Sequence, residues 1–117
     1  MSKLERQATA SMKEFLDALA EARDELRRSE QGIRRALRKV ERGQSLASVV
    51  IAEGPSESRQ SLDDAMETLT VVRHRTRSLV FALAVEEGLS IGEVGRTWGI
   101  SRQLASRYVR EASDGKA

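Results

Sequence analysis

The stretch Leu89-Ser90-Ile91-Gly92-Glu93-Val94-Gly95-Arg96-Thr97-Trp98-Gly99-Ile100-Ser101-Arg102-Gln103-Leu104-Ala105-Ser106-Arg107-Tyr108-Val109-Arg110-Glu111-Ala112 carries two helix-start signals separated by a glycine stop. Ser90 followed three residues later by Glu93 is a capping box and predicts a helix from Ile91. Gly99 suits a positive-φ terminator. Ser101 is the next N-cap, and a second short helix is expected to about Ala112. Ile91, Val94 and Trp98 are expected to face inward from the first helix, with Ile100 plugging the turn. Leu104, Ala105, Tyr108 and Val109 should anchor the second. Gly95 is small where the second helix must cross closely. That leaves Arg102, Gln103, Ser106, Arg107 and Arg110 on the outer face. From Val94 to Arg110 there are four arginines, Arg96 among them, and no acid. Arg and Gln suit guanine and adenine edges in a major groove, and Ser suits phosphate or base contacts.

Two short helices joined by three residues through glycine form the helix-turn-helix pattern. Residues 89–110 resemble the helix-turn-helix superfamily of bacterial DNA-binding proteins, similar to the units of sigma-factor region 4, resolvase tails and small repressors. The likeness covers about a fifth of the chain. It differs from the usual pattern at Gly95, where alanine is commoner. It differs again at Ala105, where a branched aliphatic is usual and Leu104 and Tyr108 compensate. The resemblance implies that residues 102–112 are a recognition helix in the major groove, supported across the backbone by residues 91–98. With the helix docked in that way, Arg102, Gln103, Ser106 and Arg107 are expected to read bases and Arg96 and Arg110 to position phosphates, with Ser101 a further DNA-binding candidate. Arg75 and Arg77, in the basic run Arg73-His74-Arg75-Arg77, are further candidates for phosphate contact. The alternative for that run is a solvated helix face, and His74 is expected at the surface. Trp98 is expected in the core rather than as a base-stacking platform.

Upstream, residues 3–42 carry apolar side chains at spacings of three, four and seven, with no sustained alternation. Met12, Leu19, Leu26, Ile33 and Val40 are seven apart, and Ala8, Phe15, Ala22, Ser29 and Ala36 form a second, mostly small line beside them. Leu4, Leu16 and Leu37 widen the stripe. Gly32 costs roughly 1 kcal/mol in a helix interior, but the heptad phase runs across it, so one continuous helix is expected. Gly43 stops that helix. Ser45 to Ala52 is either one or two helical turns or an extended stretch. Gly54-Pro55-Ser56-Glu57-Ser58 is the clearest breaker. A second long helix is expected from Ser58 or Ser61 to Glu87, with Ser61 and Asp64 as an imperfect capping box. The stripe on the first helix serves an intramolecular hairpin with residues 61–87, a dimer seam, or both. The expectation is both, with Met12, Phe15, Leu19, Leu26, Ile33 and Val40 as dimerisation residues.

Composition narrows the function classes. The chain has 117 residues, 39% of them hydrophobic and 32% charged, with one proline, no cysteine and one histidine, His74. Disulfide scaffolds, zinc-thiolate sites and thiol nucleophiles are excluded, and a histidine metal cluster or a Ser-His-Asp triad has too few histidines. No paired carboxylates, phosphate-cradling loop or activated nucleophile points to an enzyme, and nothing implies a cofactor or a metal. Twenty Lys and Arg against eighteen Asp and Glu leave a net charge of only +2. The distribution of arginine therefore matters more than the total. The longest apolar run, Leu79 to Val85, is seven residues, short of a membrane span, so a cytoplasmic, nucleoid-associated protein is the expectation.

The combined expectation is an all-α chain, a long helical hairpin or coiled coil followed by a C-terminal helix-turn-helix. Residues 1–57 would hold the N-terminal helix and hinge for dimerisation, and residues 58–117 the second long helix and the DNA-binding unit. The function expected is double-stranded DNA binding as a small bacterial or phage homodimeric transcription regulator. A small-molecule effector has no signal in the sequence. The alternative is a helical adaptor or assembly protein whose corner motif makes protein contacts.

Overall fold

The computed structural model describes residues 1–114; the last three residues of the second expected segment, 115–117, lie outside it. The described residues are all-helical: α1 (Lys3–Glu41), α2 (Leu46–Glu53), α3 (Pro55–Glu86), α4 (Ile91–Trp98) and α5 (Arg102–Ser113), with no strand among them. None of these helices is long and apolar enough to cross a membrane.

α1 runs unbroken through Gly32 for 39 residues, about 58 Å at 1.5 Å per residue. Gly32 sits half-buried on the inward line of small side chains, where a larger residue is not called for. The segment after Gly43 is helical rather than extended. Ser45 caps α2 by accepting from the Ser48 N–H at 3.2 Å. α3 begins at Pro55, earlier than the serines predicted. Proline has no N–H to lose in a first turn and its φ is already helical. Ser61 and Asp64 therefore lie inside the helix rather than at its cap.

The described chain forms two compact units, Met1–Asp17 with the chain from Thr70 onward, and Ala18–Leu69. The first has a core of Phe81, Val94 and Ala105, surrounded by Val80, Ala84, Val85, Ile91, Ile100, Tyr108 and Val109. Tyr108 and Trp98 both meet the Phe81 ring edge-on, at 5.2 and 5.0 Å between centroids, an arrangement favoured by the ring quadrupoles. Between α1 and α3 of this unit lies a buried polar pair. The Thr76 hydroxyl lies 2.7 Å from Ser11 Oγ, 2.8 Å from the Val72 carbonyl and 3.2 Å from the Ser11 carbonyl, so the two hydroxyls satisfy one another in a shared buried cluster. Ser78, by contrast, is fully buried, and its hydroxyl has no hydrogen-bond partner among the described residues.

The Ala18–Leu69 unit closes on smaller groups. Ala18, Ala22, Val49 and Ala65 are buried, and Glu53 on α2 is held by Arg35 at 3.5 Å and Lys39 at 3.4 Å. Leu19, Leu26, Ile33 and Leu37 on α1 and Leu46 and Ile51 on α2 are exposed, Ile51 by 79%. The two heptad lines thus part company: the small line turns inward and the large line outward, apart from Val40, which is half-buried. Phe15, named above with the dimerisation residues, is the exception to size. It lies half-buried beside Ala8 and Ser11, off the outward line carrying Met12 and Leu16.

Candidate nucleic-acid interface

Both helix starts in residues 89–113 are built as their sequence dictates. α3 ends at Glu86; Gly88, with φ 114°, admits the reversal, and Leu89 N–H donates back to the Ala84 carbonyl at 3.0 Å. Ser90 and Glu93 form the reciprocal cap: Glu93 N–H donates to Ser90 Oγ at 3.1 Å and Ser90 N–H to Glu93 Oε1 at 3.3 Å. Nine residues after Ser90, Gly99 adopts φ 68° and ψ 33°, and the Ile100 N–H bonds the Gly95 carbonyl at 2.9 Å. Ser101 then opens α5 by accepting from the Leu104 N–H at 3.1 Å.

Gly95 has a packing reason of its own. A Cβ built there would lie 3.0 Å from the Ile100 carbonyl oxygen and 3.5 Å from that of Ser101. The turn therefore rests directly on the α4 backbone. Ala105 is fully buried beneath α5, which is why a small residue stands where a branched one is usual: Tyr108 and Val109 supply the volume instead.

The side chains left outside are the arginines. Arg102, Gln103, Arg107 and Arg110 on α5 and Arg96 on α4 are exposed, and Ser106 is half-buried among them. None of these arginines forms an ion pair with a described residue. The one acid on α5, Glu111, is turned instead to His74 Nε2 on α3, in short contact. The His74 ring also lies 4.8 Å from that of Tyr108. His74 is thus a surface residue with a structural partner, a tie that no local spacing announced. Ser101 is exposed and its oxygen is engaged in the cap, leaving its proton free to donate.

The α3 candidates differ from those on α5. Arg75 donates to Glu14 on α1 at 2.8 Å. Arg77 is half-buried, its guanidinium 5.6 Å from the centre of the Trp98 ring, within cation–π range. Trp98 itself is 46% exposed, which corrects the expectation of a core residue. One edge reaches Phe81 and the rest serves as a surface for Arg77.

No gathering of three or more metal-ligating side chains occurs among the described residues. An open groove of about 350 Å³ lies within the Ala18–Leu69 unit, lined by Ile33, Ala36, Val50, Glu53 and Leu62 among others. Its charged members Arg28, Arg35 and Arg59 already have carboxylate partners in Glu25, Glu53 and Asp63, so it offers no free cation to an anionic ligand.

Comparison with models of known protein families, with characterised proteins and with solved structures found no match to this chain.

Proposed function

We propose that the chain is a small homodimeric regulator that binds double-stranded DNA, with α4 and α5 as a helix-turn-helix and α1 and α3 as its helical hairpin. The observation that carries this reading is the outer face of α5. Arg102, Arg107 and Arg110 stand exposed with no ion pair to a described residue, while the neighbouring acid Glu111 is held away by His74. Unpaired guanidiniums on a short, N-capped helix are suited to a polyanion and to guanine edges. In this reading Arg102, Gln103, Ser106 and Arg107 read base edges, while Arg96, Arg110 and the Ser101 hydroxyl position phosphates. Arg77 lies on Trp98 and Arg75 on Glu14, so both are assigned to holding the unit together. Nucleoid association follows from the same reading.

Each phosphate contact releases roughly 0.9 counterions, so affinity falls steeply with salt. The test is fluorescence anisotropy on labelled genomic duplexes at 50 and 200 mM salt, with the Arg102→Ala/Arg107→Ala variant beside the parent. The expected result is retention at low salt, at least about a tenfold loss at high salt, and a further loss of at least tenfold in the variant. Absence of retention at 50 mM salt rejects the proposal.

A protein-adaptor reading draws on a different feature, the exposed Leu46 and Val50 one helical turn apart on α2, since neighbouring exposed apolar side chains mark contact surfaces. In that case Leu46→Ser/Val50→Ser loses a protein partner, and the double arginine variant changes nothing on DNA.

A further inference from the structure

Within the Ala18–Leu69 unit, Leu19, Leu26, Ile33 and Leu37 of α1 are exposed, Leu26 by 52% and Ile33 by 68%. Together with Arg23, Glu30 and Val40 they recur at alternating steps of four and three residues, which is the seam spacing of a coiled coil. A row of large apolar side chains of this length is a contact surface rather than a solvated face.

The two charged members identify what covers it. Arg23 precedes Leu26 by three residues and Glu30 follows it by four. If two copies paired in parallel, same-numbered residues would meet. Arg23 would then face Arg23 and Glu30 would face Glu30, like charges inside a desolvated seam. If they pair antiparallel about a two-fold axis near Leu26, Arg23 of each copy comes within one helical turn of Glu30 of the other. A two-fold contact requires that when residue i meets j, j also meets i. One cation and one anion flanking the axis satisfy that requirement, so the seam is complementary to itself.

We infer that the chain self-associates through α1 as an antiparallel pair centred near Leu26, with two Arg23–Glu30 ion pairs crossing between the copies. Among the described residues these charges have only exposed local partners: Asp24 at 3.9 Å from Arg23, and Arg34 at 3.1 Å from Glu30. Such pairs are weak in water and yield to a desolvated partner. The inference rests on the dimer of the proposed function, specifying its interface and direction, and does not depend on the α5 face.

The chain has no cysteine, so a single introduced thiol reports one position. Arg38 is exposed on α1 and off the seam. A nitroxide on Arg38→Cys of the full chain, read by pulsed electron paramagnetic resonance, is expected at about 30–36 Å from its twin, from the helical rise of 1.5 Å per residue. A separation under about 20 Å, the interaxial distance plus label arms, means parallel pairing and overturns the inference, as does the absence of dipolar coupling. In sedimentation equilibrium, Arg23→Glu is expected to raise the dimer dissociation constant at least about tenfold. Arg23→Glu/Glu30→Arg is expected to return it to within about threefold. An unaffected single variant, or a double variant that is not rescued, overturns the inference. An antiparallel dimer that ignores duplex DNA removes the DNA reading and keeps this one. A monomer that binds duplex with the expected salt dependence does the reverse.

Discussion

The unit carrying α4 and α5 has Phe81 as its largest fully buried side chain, in edge-to-face contact with Tyr108 and Trp98, whereas the Ala18–Leu69 unit closes on alanines and Val49 and leaves Leu19, Leu26, Ile33 and Leu37 in solvent. In the first, apolar volume stabilises the chain against itself. In the second, small residues allow close helix contact and the large ones stay in solvent, where the proposed self-association would use them. Hydrophobic side chains in the two units are therefore expected to answer mutation differently.

The largest expected effect tests that difference directly. Phe81→Ala empties the core site of the first unit and should cost about 3–5 kcal/mol in chemical denaturation. Ile33→Ala, measured at a concentration where the chain is monomeric, should change stability by less than about 0.5 kcal/mol while weakening self-association. Equal losses for the two would erase the distinction.

A smaller effect sharpens the account of the turn. Gly99 has φ 68°, and a Cβ there meets nothing within 4 Å. Gly99→Ala should thus cost only the left-handed backbone penalty, about 1–2 kcal/mol. Gly95→Val, which drives a branched side chain against the Ile100 carbonyl, should cost about 1–3 kcal/mol. A tolerated Gly95→Val would show that the turn does not rest on α4.

The smallest effects are gains, one in each unit. Ser78→Ala removes a buried hydroxyl that has no partner and should stabilise the chain by about 1 kcal/mol. Gly32→Ala adds a methyl whose nearest neighbour is Arg35 Nη2 at 3.6 Å, ordinary contact, and should also gain about 1 kcal/mol from helix propensity. Thermal or denaturant unfolding reads both, and a loss at either position contradicts the packing described.

What the amino-acid order discloses here is mostly local. The Ser90–Glu93 cap, the Gly99 terminator and the Ser101 cap each involve residues within four positions, and their chemistry is visible without the fold. The continuity of α1 was also legible, because heptad phase persists across Gly32. The periodicity did not tell which of two adjacent lines turns inward, since both keep the same angular step and only tertiary packing chooses between them. Here the choice went to Ala8, Ala18 and Ala22 over Leu19, Leu26 and Ile33. Long-range pairs such as His74 with Glu111, Arg75 with Glu14 and Arg77 on Trp98 left no trace, being separated by tens of residues. They matter to the candidate interface because they divide the arginines into those engaged within the unit and those presented outward.

The central claim is that the outward arginines of α5 read a base sequence. Selection of duplexes from a random pool by the full chain at 50 mM salt tests it most directly. The account predicts enrichment of one motif by the parent and loss of that motif with Arg102→Ala/Arg107→Ala, the dimer being unchanged. A pool that emerges unenriched, or a motif that survives the double substitution intact, would contradict it.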